Sequence, residues 1–113
     1  MDFSVLGPVE VRADHQPLPL GGRKQRALLA MLLHHANRSV ADDLLVDALW
    51  SEHPPKTADN NLRLYASRLR RSLGHDRVLR RHGGYLLVVH PGELDVHRFQ
   101  SLAKNGRDAF PAR

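Results

Sequence analysis

The segment Ala58–Leu73 places six of its seven apolar residues on one side of a helix. When each residue is advanced by about 100°, these residues fall within about 60° of one meridian. They are Ala58, Leu62, Tyr65, Ala66, Leu69 and Leu73. Thr57 is a residue type that caps helices, and the glycine at position 74 is typical of a helix end. A helix of this kind has to bury its apolar stripe against other elements, so the sequence predicts an amphipathic helix with one face free.

Two further helices are predicted before this one. Arg23–Ala36 carries leucines at three- and four-residue spacing, and Asp42–Trp50 begins with two acidic residues, which favour a helix N-terminus. Trp50 is expected to anchor the core at the end of its helix. Pro54 and Pro55 disfavour helix and predict a rigid loop over residues 51–56.

Short β-segments flank the helices on both sides. Alternating or β-branched residues bounded by Gly and Pro predict three N-terminal strands and a C-terminal hairpin with a glycine turn. The strands are expected within Phe3–Leu6, Val9–Arg12 and Leu18–Leu20, and the hairpin over Val78–Arg81 and Tyr85–Val89. The predicted class is α+β, with an N-terminal antiparallel sheet, a three-helix bundle and a C-terminal β-hairpin.

Length and composition indicate one soluble domain. The chain has 113 residues, of which 42% are hydrophobic, and no cysteine, which excludes disulfides and thiolate zinc sites. Its longest apolar run, Ala27–Leu33, is too short to span a bilayer, and no signal peptide is visible, so a cytoplasmic protein is expected. We assign residues 1–92 to the domain and residues 93–113 to a helical tail.

Charge is distributed unevenly along the chain. Residues 57–82 contain seven arginines and two aspartates, and this excess of five positive charges matches the net charge of the whole chain. Residues 41–53 contain four acidic residues and no Lys or Arg. Such local asymmetry predicts two different partner surfaces.

The free face of the Ala58–Leu73 helix carries side chains that suit DNA. Asn and Arg read base edges in the major groove, and Arg also holds phosphates. We assign DNA contact to Thr57, Asn60, Asn61, Arg63, Leu64, Ser67, Arg68 and Arg71 on the helix and to Arg80, Arg81 and His82 on the hairpin. Leu64 fits a thymine methyl or an ordinary exposed leucine equally well. Arg70 lies nearer the core stripe and is expected to pair with an acid.

Helix–loop–helix followed by a basic hairpin is the outline of a winged helix-turn-helix. The helix at residues 57–73 would then enter the major groove, and the wing at residues 77–88 would reach the flanking backbone or minor groove. A protein-interaction module that uses the acidic second helix and the Pro-Pro loop is the alternative. RNA binding ranks last, because exposed stacking aromatics are not expected in the basic segment.

Catalysis and cofactors are not expected. The sequence contains no GxSxG, P-loop or HExxH motif, so we predict no enzyme activity, no catalytic residue and no cofactor. The eight histidines show no metal-ligand spacing: His34 and His35 are adjacent and point about 100° apart on a helix. We therefore predict no metal site.

Several spaced motifs resemble one known family. They are Phe3–Val11, Leu20–Ala30, Leu45–Trp50, Pro54-Pro55, Tyr65–Gly74 and Gly84–Leu87. In this order they resemble the OmpR-like DNA-binding domain of the Streptomyces antibiotic regulatory protein (SARP) family of transcriptional activators, over residues 1 to about 90. The resemblance implies the same sheet, three-helix bundle and wing that the periodicities predict.

The resemblance also implies partners. Activators of this family bind direct repeats near the −35 element, which would place two copies head to tail on DNA, and contact RNA polymerase through the loop between the second and third helices. In this chain that loop contains Ser51, Glu52, His53 and Lys56. The segment Glu93–Phe99 is similar to the opening of the bacterial transcriptional activation domain that follows in the family, here as a truncated start.

Overall fold

A computed structural model describes residues 1–51 and 53–95 of the chain. It contains six strands and three helices in these two ranges. In chain order they are β1 (Asp2–Ser4), β2 (Glu10–Ala13), β3 (Gln16–Pro17), α1 (Arg23–His34), β4 (Val40–Ala41), α2 (Asp42–Trp50), α3 (Ala58–Leu73), β5 (Val78–Arg81) and β6 (Gly84–Leu87). The architecture is α+β, a winged helix-turn-helix, as predicted.

The N-terminal sheet is antiparallel with the strand order β1-β2-β3. Phe3 pairs with Val11, and both side chains are fully buried in the hydrophobic core. The third strand was predicted at Leu18–Leu20, and this position is wrong. Asp14 and His15 adopt positive φ values of 52° and 66°, which form a tight two-residue turn, so the returning strand resumes at Gln16.

The second sheet has the order β4-β6-β5. The hairpin β5-β6 confirms the prediction, whereas β4 was not predicted. Val40 of β4 pairs with Tyr85 of β6, and a Cβ atom on Gly84 would overlap the carbonyl oxygen of Val40. Glycine at position 84 therefore allows the wing to join the strand that precedes α2.

The helices enclose the core as the leucine spacing predicts. Bounds of α2 and α3 agree with prediction, and α1 ends at His34, two residues early, before Asn37 with a φ of 66°. Leu28, Leu32, Leu45, Leu62 and Leu69 are at most 2% exposed. Truncating one such leucine to alanine costs about 2–5 kcal/mol in general, so this core carries much of the stability.

The ends of α3 follow the expected residues with one difference. Gly74 ends the helix with a φ of 119°, and its N–H donates to the Arg70 carbonyl at 2.8 Å. Thr57 occupies the N-cap position but makes no side-chain capping bond. Its Oγ1 instead accepts a hydrogen bond from Asn61 Nδ2 at 3.2 Å, which corrects the predicted cap.

Residues 93–95 pack against the N-terminal sheet. Leu94 is fully buried and bridges to Phe3, and the Asp95 carboxylate accepts hydrogen bonds from the N–H groups of Val5 and Leu6. The remainder of the predicted helical tail, residues 96–113, lies outside the described residues, and the boundary after residue 92 stays a prediction. In the described part of the chain, no helix is both long and apolar enough to cross a membrane.

Candidate nucleic-acid interface

The face of α3 opposite the core is open to solvent. Ala58, Leu62, Ala66, Leu69 and Leu73 are buried, while Tyr65 is only half-buried. Asn61 is also half-buried, and the other predicted contact residues on this helix are exposed: Asn60, Arg63, Leu64, Ser67, Arg68 and Arg71. Leu64 is 46% exposed. The helix therefore presents a polar, cationic face with one apolar side chain in it.

The cations on this face lack internal partners. Arg63, Arg68 and Arg71 make no side-chain hydrogen bond or ion pair with another residue in the ranges 1–51 and 53–95. Uncompensated guanidinium groups on one helix face create a positive potential that attracts a polyanion. The arrangement can bind phosphates without breaking an existing contact.

Arg70 differs from its neighbours on the helix. Its Nε donates to the carbonyl oxygen of Val78 at 3.0 Å, so it joins α3 to the first strand of the hairpin. The expected pairing with an acid is wrong because the β5 backbone, rather than a carboxylate, lies beside the flank of the helix. This bond fixes the position of the wing relative to α3.

Arg80 on the wing is held by α2. Its guanidinium donates to both carboxylate oxygens of Asp42, at 2.6 and 2.8 Å, and lies 4.7 Å from the centre of the Tyr85 ring. The hydrogen bonds to Asp42 raise the pKa of Arg80. Part of the predicted acidic surface therefore neutralises part of the predicted basic surface. Nothing local in the sequence indicates this contact, because the two residues are 38 positions apart.

The tip of the wing remains exposed. Arg81 Nη1 donates to the carbonyl of Arg80 at 2.9 Å, and His82 has a φ of 54° at the turn. Ser39 Oγ donates to the Arg81 carbonyl at 2.6 Å, which ties the hairpin to the segment before β4. Arg81 and His82 are thus presented by a tip whose backbone is fixed.

Arg77, at the base of the wing, is largely buried and paired with Glu93. It donates to both carboxylate oxygens of Glu93, at 2.5 and 2.7 Å, and to the carbonyl of Val88 at 3.1 Å. The hydrogen bond from Arg77 lowers the pKa of Glu93 to about 2. The Glu93 carbonyl also accepts a bond from the Phe3 N–H at 2.6 Å, so this pair joins the hairpin to the N-terminal sheet.

The loop between α2 and α3 is exposed on its described residues. Ser51, His53 and Lys56 are exposed, and Ser51 has a φ of 54°; Glu52 lies outside the described residues. Leu44 on α2 is 59% exposed. The described residues of the predicted polymerase-contact loop are therefore accessible, and α2 carries an exposed apolar side chain of its own.

Trp50 lies at the edge of the core instead of within it. The half-buried indole stacks on Tyr65 with ring centres 6.2 Å apart, and Lys24 Nζ lies 5.1 Å from the indole centre. Lys24 also donates to the Leu49 carbonyl at 2.7 Å. The predicted core anchor is thus a side chain that joins the start of α1 to the middle of α3.

Within residues 1–51 and 53–95, no group of three or more His, Asp and Glu side chains could hold a metal ion.

Comparison with known proteins identifies similar chains. A family model described as "Transcriptional regulatory protein, C terminal" matches residues 15–87. The chain is 43% identical to the regulatory protein AfsR of Streptomyces coelicolor over 111 residues, covering 97% of this chain and 11% of AfsR. It is 41% identical to the transcriptional regulatory protein EmbR of Mycobacterium tuberculosis, covering 99% of this chain and 30% of EmbR.

Two further matches agree. The transcriptional regulator RedD of Streptomyces coelicolor is 33% identical, with 99% of this chain and 34% of RedD covered. A solved structure of Mycobacterium tuberculosis EmbR in complex with a low affinity phosphopeptide superimposes with a TM-score of 0.92 and 38% identity, over 96% of this chain and 30% of that chain. The chain thus spans about a tenth to a third of the length of these relatives.

Proposed function

The chain belongs to the SARP family of transcriptional regulators, through its OmpR-like winged-helix DNA-binding domain, and from this premise we propose that it binds double-stranded DNA sequence-specifically as part of a transcriptional activator. The observation that carries the proposal is the exposed face of α3, whose three arginines Arg63, Arg68 and Arg71 have no partner among the described residues.

In the proposed complex α3 lies in the major groove. An α-helix with its side chains is about 10–12 Å across, and the major groove is about 12 Å wide. Asn60 is exposed near the start of the helix, where a bidentate amide contact reads adenine. Arg68 and Arg71 lie about two and about three turns further on, where they meet guanine or phosphate. Leu64 supplies an apolar contact for a thymine methyl.

The wing contacts the flanking backbone or minor groove in this proposal. Arg81 and His82 are exposed at its tip, and the Arg70 bond to Val78 holds the hairpin in place beside α3. Arg80 reaches a phosphate only after leaving Asp42, so it contributes less than an unpaired arginine does. Asn61 has to exchange its bond to Thr57 Oγ1 for a base or a phosphate.

Binding-site selection from random duplexes, followed by affinity measurement at several salt concentrations, tests the proposal. If about 5–8 phosphates are contacted, log K falls against log salt with a slope of about −0.9 for each contact. Asn60→Ala should cost about 1–3 kcal/mol and relax one base position, whereas Arg71→Ala should weaken all duplexes about equally. Arg12→Gln removes a positive charge from β2 and serves as the matched control. Salt-independent affinity, or parental affinity in both α3 variants, contradicts the proposal.

We further propose that the loop after α2 contacts RNA polymerase at promoters with direct repeats, where two copies bind head to tail. The support is the exposure of Ser51, His53 and Lys56 in the loop and of Leu44 on α2. In a reconstituted transcription assay, Lys56→Ala and Leu44→Ala should reduce activation while affinity for the promoter stays within about twofold of the parent. If the parent protein binds polymerase but binds no duplex, the result instead supports a protein-interaction module.

A further inference from the structure

A solvent-open cavity of about 470 Å³ lies between the start of α1 and the middle of α3. Its walls are formed by Gly22, Arg23, Lys24, Gln25, Tyr65 and Arg68. Three of these side chains are cationic and none is acidic. The cavity is therefore electropositive.

The start of α1 adds to this positive potential. The first turn of an α-helix leaves its N–H groups without intrahelical partners, and they carry the positive end of the helix dipole. Gly22 is the N-cap residue and supplies no side-chain acceptor, and the first turn contains no acidic residue. The helix therefore presents the N–H groups of its first turn to the cavity. Neither the cap residue nor the first turn supplies an anion that would neutralise them.

Gln25 provides an independent indication of a ligand. The residue is 5% exposed, and its amide makes no hydrogen bond to any residue within 1–51 and 53–95. Every fully enclosed side-chain N or O atom in those ranges has a hydrogen-bond partner. The amide of Gln25 has no partner there, so it is not fully enclosed and meets the cavity that it lines. A Cβ atom on Gly21 would lie 2.9 Å from this amide, so glycine at position 21 leaves it room. A nearly buried amide beside a helix N-terminus suits a ligand with acceptor oxygens.

The position of the cavity favours a DNA phosphate over a small ligand. Arg68 belongs both to the exposed face of α3 and to the cavity wall, so the two surfaces are continuous. A helix in the major groove has a sugar-phosphate backbone on each side of it. Lys24, which lines the cavity, is held in place by the Leu49 carbonyl and the Trp50 ring, so its positive charge is fixed beside the cavity.

We propose that this cavity, the α1 phosphate site, binds one backbone phosphate of the duplex beside the groove that α3 occupies. The α1 N–H groups and the Gln25 amide donate to its oxygens, and Arg23, Lys24 and Arg68 supply the charge. The inference rests on the proposed DNA binding, and it adds a contact made from α1 rather than from α3 or the wing. Free inorganic phosphate has the same acceptor oxygens and charge, and it is the alternative ligand for this site.

The experiment compares Gly22→Asp with Gly22→Asn in the full chain. Position 22 has an extended backbone, and a Cβ atom there meets nothing within 4 Å, so both side chains fit and both cap α1. They differ only in charge. We expect the melting temperature of both to equal or exceed that of the parent. We expect Gly22→Asp to bind the selected duplex about tenfold more weakly than Gly22→Asn, with the salt slope reduced by about one contact. Gln16→Glu on the exposed strand β3 controls for net charge.

A scan of the duplex with neutral methylphosphonate linkages identifies the phosphate. At one position, the neutral linkage should weaken DNA binding by the parent but leave the DNA affinity of Gly22→Asp unchanged. Equal affinity of the two position-22 variants, or no linkage with this behaviour, overturns the α1 phosphate site. Titration of inorganic phosphate against the amide signals of residues 23–25 tests the other source: shifts abolished by Gly22→Asp, together with unchanged DNA affinity, overturn the assignment to DNA. If the parent binds no duplex, the proposed function itself fails, which is a separate result.

Discussion

The ion pair between Arg77 and Glu93 should make the stability of the domain depend on acid pH. Both side chains are largely buried, with 12% and 13% exposed. The hydrogen bond from Arg77 lowers the pKa of Glu93 to about 2 from an ordinary value of 4.5. At about 1.4 kcal/mol for each pH unit, this shift is equivalent to about 3–4 kcal/mol at most. Solvent screening at the edge of the pair reduces the expected value to about 1–2 kcal/mol.

Glu93→Gln removes the charge and keeps the shape of the side chain. Because the folded-state pKa lies below the unfolded-state value, the pair stabilises the protein fully above about pH 4.5, and this stabilisation is lost as the pH falls toward 2. We therefore expect the variant to be about 1–2 kcal/mol less stable than the parent at pH 7 and nearly as stable near pH 2. The backbone N–H of His90 also donates to the Glu93 carboxylate at 2.7 Å, and this hydrogen bond lowers the pKa of Glu93 as well.

Urea unfolding at constant ionic strength, followed by the fluorescence of the single tryptophan, measures this difference from pH 2 to 7. Asp47→Asn, which removes an exposed carboxylate on α2, is the control and should change the free energy of unfolding by less than about 0.5 kcal/mol. Equal stability of parent and Glu93→Gln at pH 7, or a difference that does not change with pH, would refute the reasoning.

Two other substitutions test contacts that the sequence did not indicate. Asp42→Asn should release Arg80 for a phosphate, so DNA affinity at low salt should rise about threefold to tenfold and the salt slope should steepen by about one contact; unchanged affinity would show that Arg80 does not reach DNA. Gly84→Ala should cost at least about 2 kcal/mol in chemical unfolding, because the added methyl group overlaps the Val40 carbonyl, whereas Gly7→Ala, with open space around the added Cβ, should stay within about 0.5 kcal/mol. A parental melting temperature for Gly84→Ala would contradict the close pairing of β4 and β6.

The elements that form the proposed interface could be predicted because their signals are local. The apolar spacing in α3 and the two acidic residues at the start of α2 lie within the segments that they define, and both helices have the predicted bounds. The exposed side of α3 followed from the same spacing, since the face opposite an apolar stripe is the face left to solvent. The SARP motifs extended this prediction to the fold as a whole.

The two-residue strands β3 and β4 carry no such local signal, because they are too short to show an alternation of polar and apolar residues. Val40–Ala41 is a strand because β6 lies beside it, and Gln16–Pro17 because two residues of positive φ turn the chain back early. The positions of such segments depend on a partner strand, and a pattern of two residues is too short to indicate one.

Sequence alone determined which residues on α3 are cationic and which side of the helix they occupy, because a helix relates its residues by a fixed rotation. Tertiary structure decided which cations are free. Arg80 is neutralised by Asp42 and Arg77 by Glu93, while Arg68 is left beside the start of α1. Charge pairing acts over a few ångströms in space, and folding alone determines which side chains lie within that distance.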